Sequence, residues 1–248
     1  MTACNATGGA MSLPAPIFES FLVLDGRVTA FDLHVARFTA AVTDAFGANV
    51  AAQIPAVVAE LRAGCGAGAR FPKLVATPDG VHWQDRPAPP RTATLTVAPH
   101  PVTDTRMHPQ FKGPELAWLQ EQMAAAGNDV VLVRDGVVAE TATAAILVTE
   151  DSHGGAGTRI LTPNAPALAS TTLAWFAATI AKPERAAITW HELSAAAAEG
   201  RAVALNALHG PRTLQIRGIE PPALLARAAQ QRADAWRERW YSDGQPCT

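Results

Sequence analysis

Residues 112–140 read KGPELAWLQEQMAAAGNDVVLVRDGVVAE. Pro114 suits a first helical position and Gly127 a C-terminal stop, so a helix is predicted over residues 114–126. An apolar run at 130–133 is followed by Arg134-Asp135-Gly136 and a second run at 137–140. Asp-Gly between two β-favouring runs predicts a tight hairpin. Glu140 closes its second strand. Lys112 stands at the mouth of the helix and is one of three lysines in 248 residues. The stretch therefore places an amine and a carboxylate on separate rigid elements, a disposition suited to covalent chemistry at the amine.

Upstream, residues 17–24 read as a strand, Asp25-Gly26 as a turn and 27–30 as the return strand. Asp32 is placed to cap a helix in which Leu33, Phe38, Ala41, Val42, Ala45 and Phe46 keep helical spacing as far as Gly47. A second helix is predicted over residues 51–62, with Ile54, Val57, Val58 and Leu61 on one face. Residues 73–77 and 81–84 form a hairpin across Pro78-Asp79-Gly80, and 92–97 alternates as a further strand. Residues 98–110 are rich in Pro, His, Thr and Asp without periodicity and read as an interdomain linker.

Downstream, strands are predicted at 145–149, 159–161, 187–190, 202–206 and 212–216, and helices from Ser170 to about 181 and over 221–239. This order implies an α/β protein with mixed sheets in two domains, residues 1–104 and 105–248, with a site between them. Residues 1–13 read as a poorly ordered leader.

Hydrophobic residues make up 48% of the chain and charged residues 17%, an ordinary globular composition. The formal charge of −2, from 20 basic and 22 acidic side chains, leaves no electrostatic footprint for nucleic acid. No uncharged apolar run approaches the length needed to span a bilayer, and the N-terminus lacks the basic start and apolar core of a signal peptide. Cys4, Cys65 and Cys247 are far apart in sequence and share no metal-ligand spacing, so no disulfide framework or metal site is expected. These readings predict a cytoplasmic protein acting on a small molecule.

Four motifs occur in order: FDLHVARF at 31–38, FKG at 111–113, DGVVAE at 135–140, and TPNAPALAST at 162–171 followed by LNALHG at 205–210. Together they resemble the class IV aminotransferase family, the fold-type-IV pyridoxal phosphate enzymes, over about residues 17–220. The resemblance implies a D-amino acid aminotransferase-like two-domain fold with pyridoxal 5′-phosphate as cofactor. It implies that Lys112 is the Schiff-base lysine and proton carrier, and that Glu140 is the partner of the pyridine nitrogen. Arg37 then pairs with the cofactor phosphate, where a planar fork suits a dianion. Ser170 and Thr171 match the helix start that holds the same phosphate, and Asn206 and Ala207 match a second phosphate-side turn.

The chain departs from the family pattern at Ala169, where glycine is usual, at Thr172, where arginine is usual, and at Pro14-Ala15-Pro16, where Gly-Asp-Gly is common. The only tyrosine is Tyr241. Short length, the lack of a tyrosine after Lys112 and the Asn206-Ala207-Leu208 run bring the chain nearest to 4-amino-4-deoxychorismate lyase. Branched-chain or D-amino acid aminotransferases are the alternative, and a family member without catalysis, acting as a binding protein, is a second one. The resemblance further implies a small amino substrate and a homodimer. His209, Arg91, Arg106 and Arg212 are candidates for substrate carboxylates.

Overall fold

The computed structural model describes residues 16–151 and 158–247; the leader expected over residues 1–13 lies outside them. The first half opens with β1 (Ile17–Ser20), β2 (Val23–Leu24) and β3 (Arg27–Val28). Asp25 and Gly26, at φ 47° and 72°, make the tight turn between β2 and β3. α1 (Phe31–Phe46) follows and stops at Gly47. Asp32 sits in its first turn and does not cap it; left-handed Ala30 takes the entry without any side-chain cap. Phe31, His34, Phe38, Val42 and Ala45 recur at helical spacing and are buried. Burying a side chain such as Phe38 or Val42 stabilises by about 1.5–3 kcal/mol, so this face docks α1 on β1.

The single helix expected over 51–62 is divided into α2 (Ala48–Ala51) and α3 (Ile54–Gly64), the latter burying Ile54, Val57, Val58 and Leu61. After β4 (Ala69–Arg70) come β5 (Lys73–Thr77) and β6 (Gly80–Gln84), an antiparallel hairpin. β5 also pairs antiparallel with β1, Glu19 lying opposite Leu74.

The next strands are β7 (Thr94–Val97) and β8 (Val102–Thr103). The linker expected over 98–110 is thus partly strand, and it carries buried Asp104 and Arg106. α4 (Leu116–Ala126) ends at left-handed Gly127, and β9 (Val131–Arg134) and β10 (Val137–Thr141) form the hairpin expected from Asp135-Gly136, at φ 51° and 80°. β8 runs parallel beside β9, so the small sheet has the order β10-β9-β8.

β11 (Ala145–Asp151), β12 (Thr158–Pro163), α5 (Thr171–Thr179), β13 (Glu184–Ala186), α6 (Trp190–Ala198), β14 (Ala202–Asn206) and β15 (Gly210–Ile216) follow. The strand expected at 187–190 is instead the entry to α6. Thr189 and Glu192 satisfy each other's backbone amides in a capping box there, which fixes the residues as a helix start. The large mixed sheet has the order β13-β12-β11-β14-β15-β7, with β7 parallel to β15. β7, which precedes residue 105, is therefore hydrogen-bonded into the sheet of the second half.

α7 (Ala223–Ser242) packs on β15, and β16 (Gln245–Pro246) returns to pair antiparallel with β3. That return brings Cys247 to Cys65, 182 positions earlier, whose Sγ donates to the Cys247 Sγ at 2.7 Å; both are free thiols. No helix among the described residues is long and apolar enough to cross a membrane.

Candidate active site

Lys112 is held against β1 by its own backbone. Phe18 N donates to Lys112 O at 2.9 Å, which adds the residue to the edge of the first sheet. Gly113 permits that approach. Its φ is 145°, and a Cβ there would lie 2.0 Å from Pro16 O. The Lys112 side chain is 29% exposed and lines a cavity of about 350 Å³ between the two halves of the chain.

Arg37, in the second turn of α1, shares Glu19 with the lysine. Its Nε and Nη2 donate to the two Glu19 oxygens at 2.7 Å each, and Nη1 donates to Ala169 O at 2.8 Å. Lys112 Nζ lies 3.5 Å from Glu19 Oε1, and His34 Nδ1 lies 3.2 Å from the same oxygen. Burial opposes charge on Glu19, yet Lys112, Arg37 and the His34 hydrogen bond together hold its carboxyl well below the usual carboxylate range. Burial pushes the pKa of His34 down, against the pull of Glu19, and burial likewise lowers that of Lys112.

Glu140 enters the cavity from β10, where the register against β9 shifts between Val138 and Glu140. Strict alternation would put both side chains on one face. The bulge breaks it: Val138 packs in the core while Glu140 lines the cavity. Glu140 Oε1 accepts from Arg106 Nη2 at 2.9 Å and from Leu168 N at 3.2 Å. Burial pushes the Glu140 carboxyl up to about 7, with Arg106 opposing. Arg106 is itself tied to Asp104, at 2.8 and 3.1 Å. It is a support for Glu140 and not a free carboxylate ligand.

The far wall is the start of α5. The Ser170 hydroxyl caps it, accepting from Leu173 N at 3.2 Å, and Thr171 Oγ1 faces His34 Nε2 at 3.4 Å. Thr172 is 1% exposed, and its hydroxyl has no hydrogen-bond partner among the described residues. The β14–β15 turn closes the cavity with Asn206 and Ala207. Asn206 Nδ2 donates to Thr143 O at 3.2 Å, and its Oδ1 accepts from His209 N at 2.9 Å.

All seven residues singled out from the sequence, Arg37, Lys112, Glu140, Ser170, Thr171, Asn206 and Ala207, line this one cavity. His209 lines it too, but its Nδ1 accepts from Thr92 N, and burial followed by the charges of Arg212, Arg91 and Arg237 lowers its pKa to about 4. It is a neutral acceptor with its Nδ1 already engaged. Arg91 lies over the Tyr241 ring, and Arg212 donates to Thr92 Oγ1. Sequence reasoning missed Glu19 and Asp104, and took Thr172 only as a departure from the family pattern. A lone carboxylate inside the apolar run Ile17-Phe18-Glu19 was the available signal for the first; nothing local marks Asp104.

The family description amino-transferase class IV matches residues 16–212. The chain belongs to the class IV aminotransferase family. A comparison with curated proteins gives no match. Among solved structures, the chain is similar to a hypothetical aminotransferase from Mycobacterium tuberculosis in its PLP-bound form. The TM-score is 0.64 and the identity 21%, over 89% of this chain and 88% of that one. It is similar also to 4-amino-4-deoxychorismate lyase from Pseudomonas aeruginosa (0.65, 17%, 88% and 90%) and to a fold IV transaminase from Curtobacterium pusillum (0.60, 19%, 90% and 85%). The architecture is that of the fold-type-IV enzymes.

This class IV enzyme depends on pyridoxal 5′-phosphate, and its cavity fits that group. It offers a primary amine, a guanidinium, a buried carboxyl and a helix start whose Thr172 hydroxyl lacks a partner among the described residues. An aldehyde bearing a phosphate dianion and a basic ring nitrogen calls for such a donor set.

Proposed function

We propose that the enzyme is a lyase that converts 4-amino-4-deoxychorismate to 4-aminobenzoate and pyruvate. The observation that carries the reading is a pair of cations, Arg86 and Lys73, placed directly behind lining residues of the first-half wall of the cavity. Arg86 Nη2 donates to Ser20 Oγ at 3.1 Å and its Nε to Phe71 O at 3.1 Å, Ser20 and Phe71 both being cavity residues. Lys73 Nζ lies 4.2 Å from the Phe18 ring centre. Neither cation has a carboxylate partner among the described residues. A substrate with two carboxylates meets that pair better than a neutral branched-chain amino acid does. The cavity also lacks a tyrosine among its described lining residues, and the Tyr241 hydroxyl is engaged with His209 O at 3.1 Å.

In this reading Lys112 would anchor the cofactor and Glu140 would partner its ring nitrogen. Arg37, the start of α5 and the Asn206-Ala207 turn would hold its phosphate. When bound, pyridoxal phosphate supplies an aldehyde for the substrate amine and a ring that accepts electrons. Lys112 would take the proton from the amine-bearing carbon of the substrate. The carbon–oxygen bond to the enolpyruvyl group then breaks, the six-membered ring becomes aromatic, and the departing enolate takes one proton at carbon to become pyruvate. The atoms balance with no oxidant and no second substrate.

The test is to mix the protein with 4-amino-4-deoxychorismate, without any keto acid, and follow 4-aminobenzoate by fluorescence. Formation of 4-aminobenzoate and pyruvate in equal amounts is expected. A protein that forms neither, yet moves an amino group once a keto acid is added, is an aminotransferase.

A further inference from the structure

Glu19 is a buried carboxylate, 1% exposed, on which four groups converge. Ser20 N and Arg37 donate to it, His34 Nδ1 faces it, and Lys112 Nζ approaches to 3.5 Å. His34 is fully buried and reaches on to Thr171 at the start of α5. A continuous polar chain, Lys112–Glu19–His34–Thr171, thus joins the lysine to the far wall of the cavity. Arg37 alone would satisfy both carboxylate oxygens, so the lysine is not needed to neutralise Glu19. The need runs the other way.

We propose that Glu19 is a positioning residue for Lys112, holding its nitrogen against β1 and supplying the counter-charge that stabilises it as an ammonium whenever it is free. This rests on Lys112 being the reactive lysine of the proposed lyase. The charges facing Lys112 are Glu19 from β1, Arg37 from α1 and Arg86 from the segment after β6. Burial and both arginines disfavour the ammonium; Glu19 is the one group among them that favours it. In the proton transfer from the substrate carbon, the carbon–hydrogen bond breaks, its electron pair stays on the carbon side, and a new N–H bond forms on Lys112. The ammonium so made finds its anion already in place.

The experiment uses the full chain freed of cofactor, with lysine labelled at the ε carbon. Only Lys73, Lys112 and Lys182 give signals, and Lys112→Arg identifies the one of interest. Glu19→Gln is expected to lower the Lys112 titration midpoint by about one to three pH units, the usual effect of losing an adjacent opposite charge. Glu19→Asp should stay near wild type. A Glu19→Gln midpoint equal to wild type in a protein of unchanged circular dichroism overturns the proposal, because a purely structural Glu19 would not move it. If Glu19→Gln does not fold, a crystal structure of the cofactor-free wild type decides. Nζ beyond about 6 Å from both Glu19 oxygens overturns the proposal, and Nζ within that distance supports it. Failure of the premise that Lys112 is the reactive lysine shows separately, as no borohydride-trapped pyridoxal phosphate on Lys112 by mass spectrometry, and failure of the lyase reading as no 4-aminobenzoate formed without a keto acid.

Discussion

Arg106 and Glu140 meet at 2.9 Å with both side chains buried, and Asp104 grips the same guanidinium through Nε and the shared Nη2. The carboxyl facing the cavity is therefore set in place by a residue from the segment before Lys112, outside any helix or strand.

Arg106→Met removes the cation paired with Glu140, while Asp104 keeps Arg134 at 3.2 Å. Breaking a buried ion pair from one side costs about 3–5 kcal/mol. Urea denaturation of the cofactor-free protein should show a loss of that size, and a loss below about 1 kcal/mol would mean that the pair is not a support.

Glu140 gives the cofactor-free protein a pH signature. Its folded pKa, about 7, lies above the ordinary value of 4.5. The folded state therefore binds the proton more tightly, so the contribution is present below about pH 4.5 and lost as pH rises through 7. Glu140→Gln lacks this dependence. Between pH 4.5 and 8 the variant should gain on wild type by roughly 2–3 kcal/mol, read from parallel denaturation curves.

Thr172→Val should leave the cofactor-free protein as stable as wild type, because the hydroxyl has no partner among the described residues to lose. If that hydroxyl donates to the phosphate, pyridoxal phosphate binding weakens about 10- to 100-fold, the worth of a hydrogen bond to a charged group. Fluorescence titration separates the two effects. Equal affinity would place the phosphate elsewhere.

The Cys65 thiol is pushed up to about 12 by burial and by its hydrogen bond to Cys247. At pH 8 it holds very little thiolate, so a disulfide reagent should label folded protein about a hundredfold more slowly than denatured protein. Rapid labelling of Cys65 without denaturant would contradict the packing of β16 against the first half.

Much of this was legible because it is encoded locally. Asp135-Gly136 forced the β9–β10 hairpin through two positive φ angles, and Ser170 announced α5 by its side-chain cap. Helical spacing gave α1 and α7. The unread parts depend on partners distant in sequence. Arg106 sits in a segment without periodicity, and its meaning comes from Glu140, 34 residues later. Glu19 looks like any strand carboxylate until α1 folds over it. The entry to α6 was read as strand because Ile188 and Thr189 favour β structure, although the Thr189–Glu192 capping box outweighs that preference. Apart from Arg37, which lies within α1, the site residues lie at or beside an element's end, where turn and cap signals are strongest.

The pairing of β16 with β3 has a consequence for how the molecule is made. Thr29 Oγ1 donates to Trp240 O, and Arg27 donates to Gly244 O, so the earliest strands lean on the latest residues. On the ribosome, β3 must wait with one edge bare until β16 has emerged. Birth order and assembly order part company here: a sheet begun by β2 and β3 is completed only after α7 has been made.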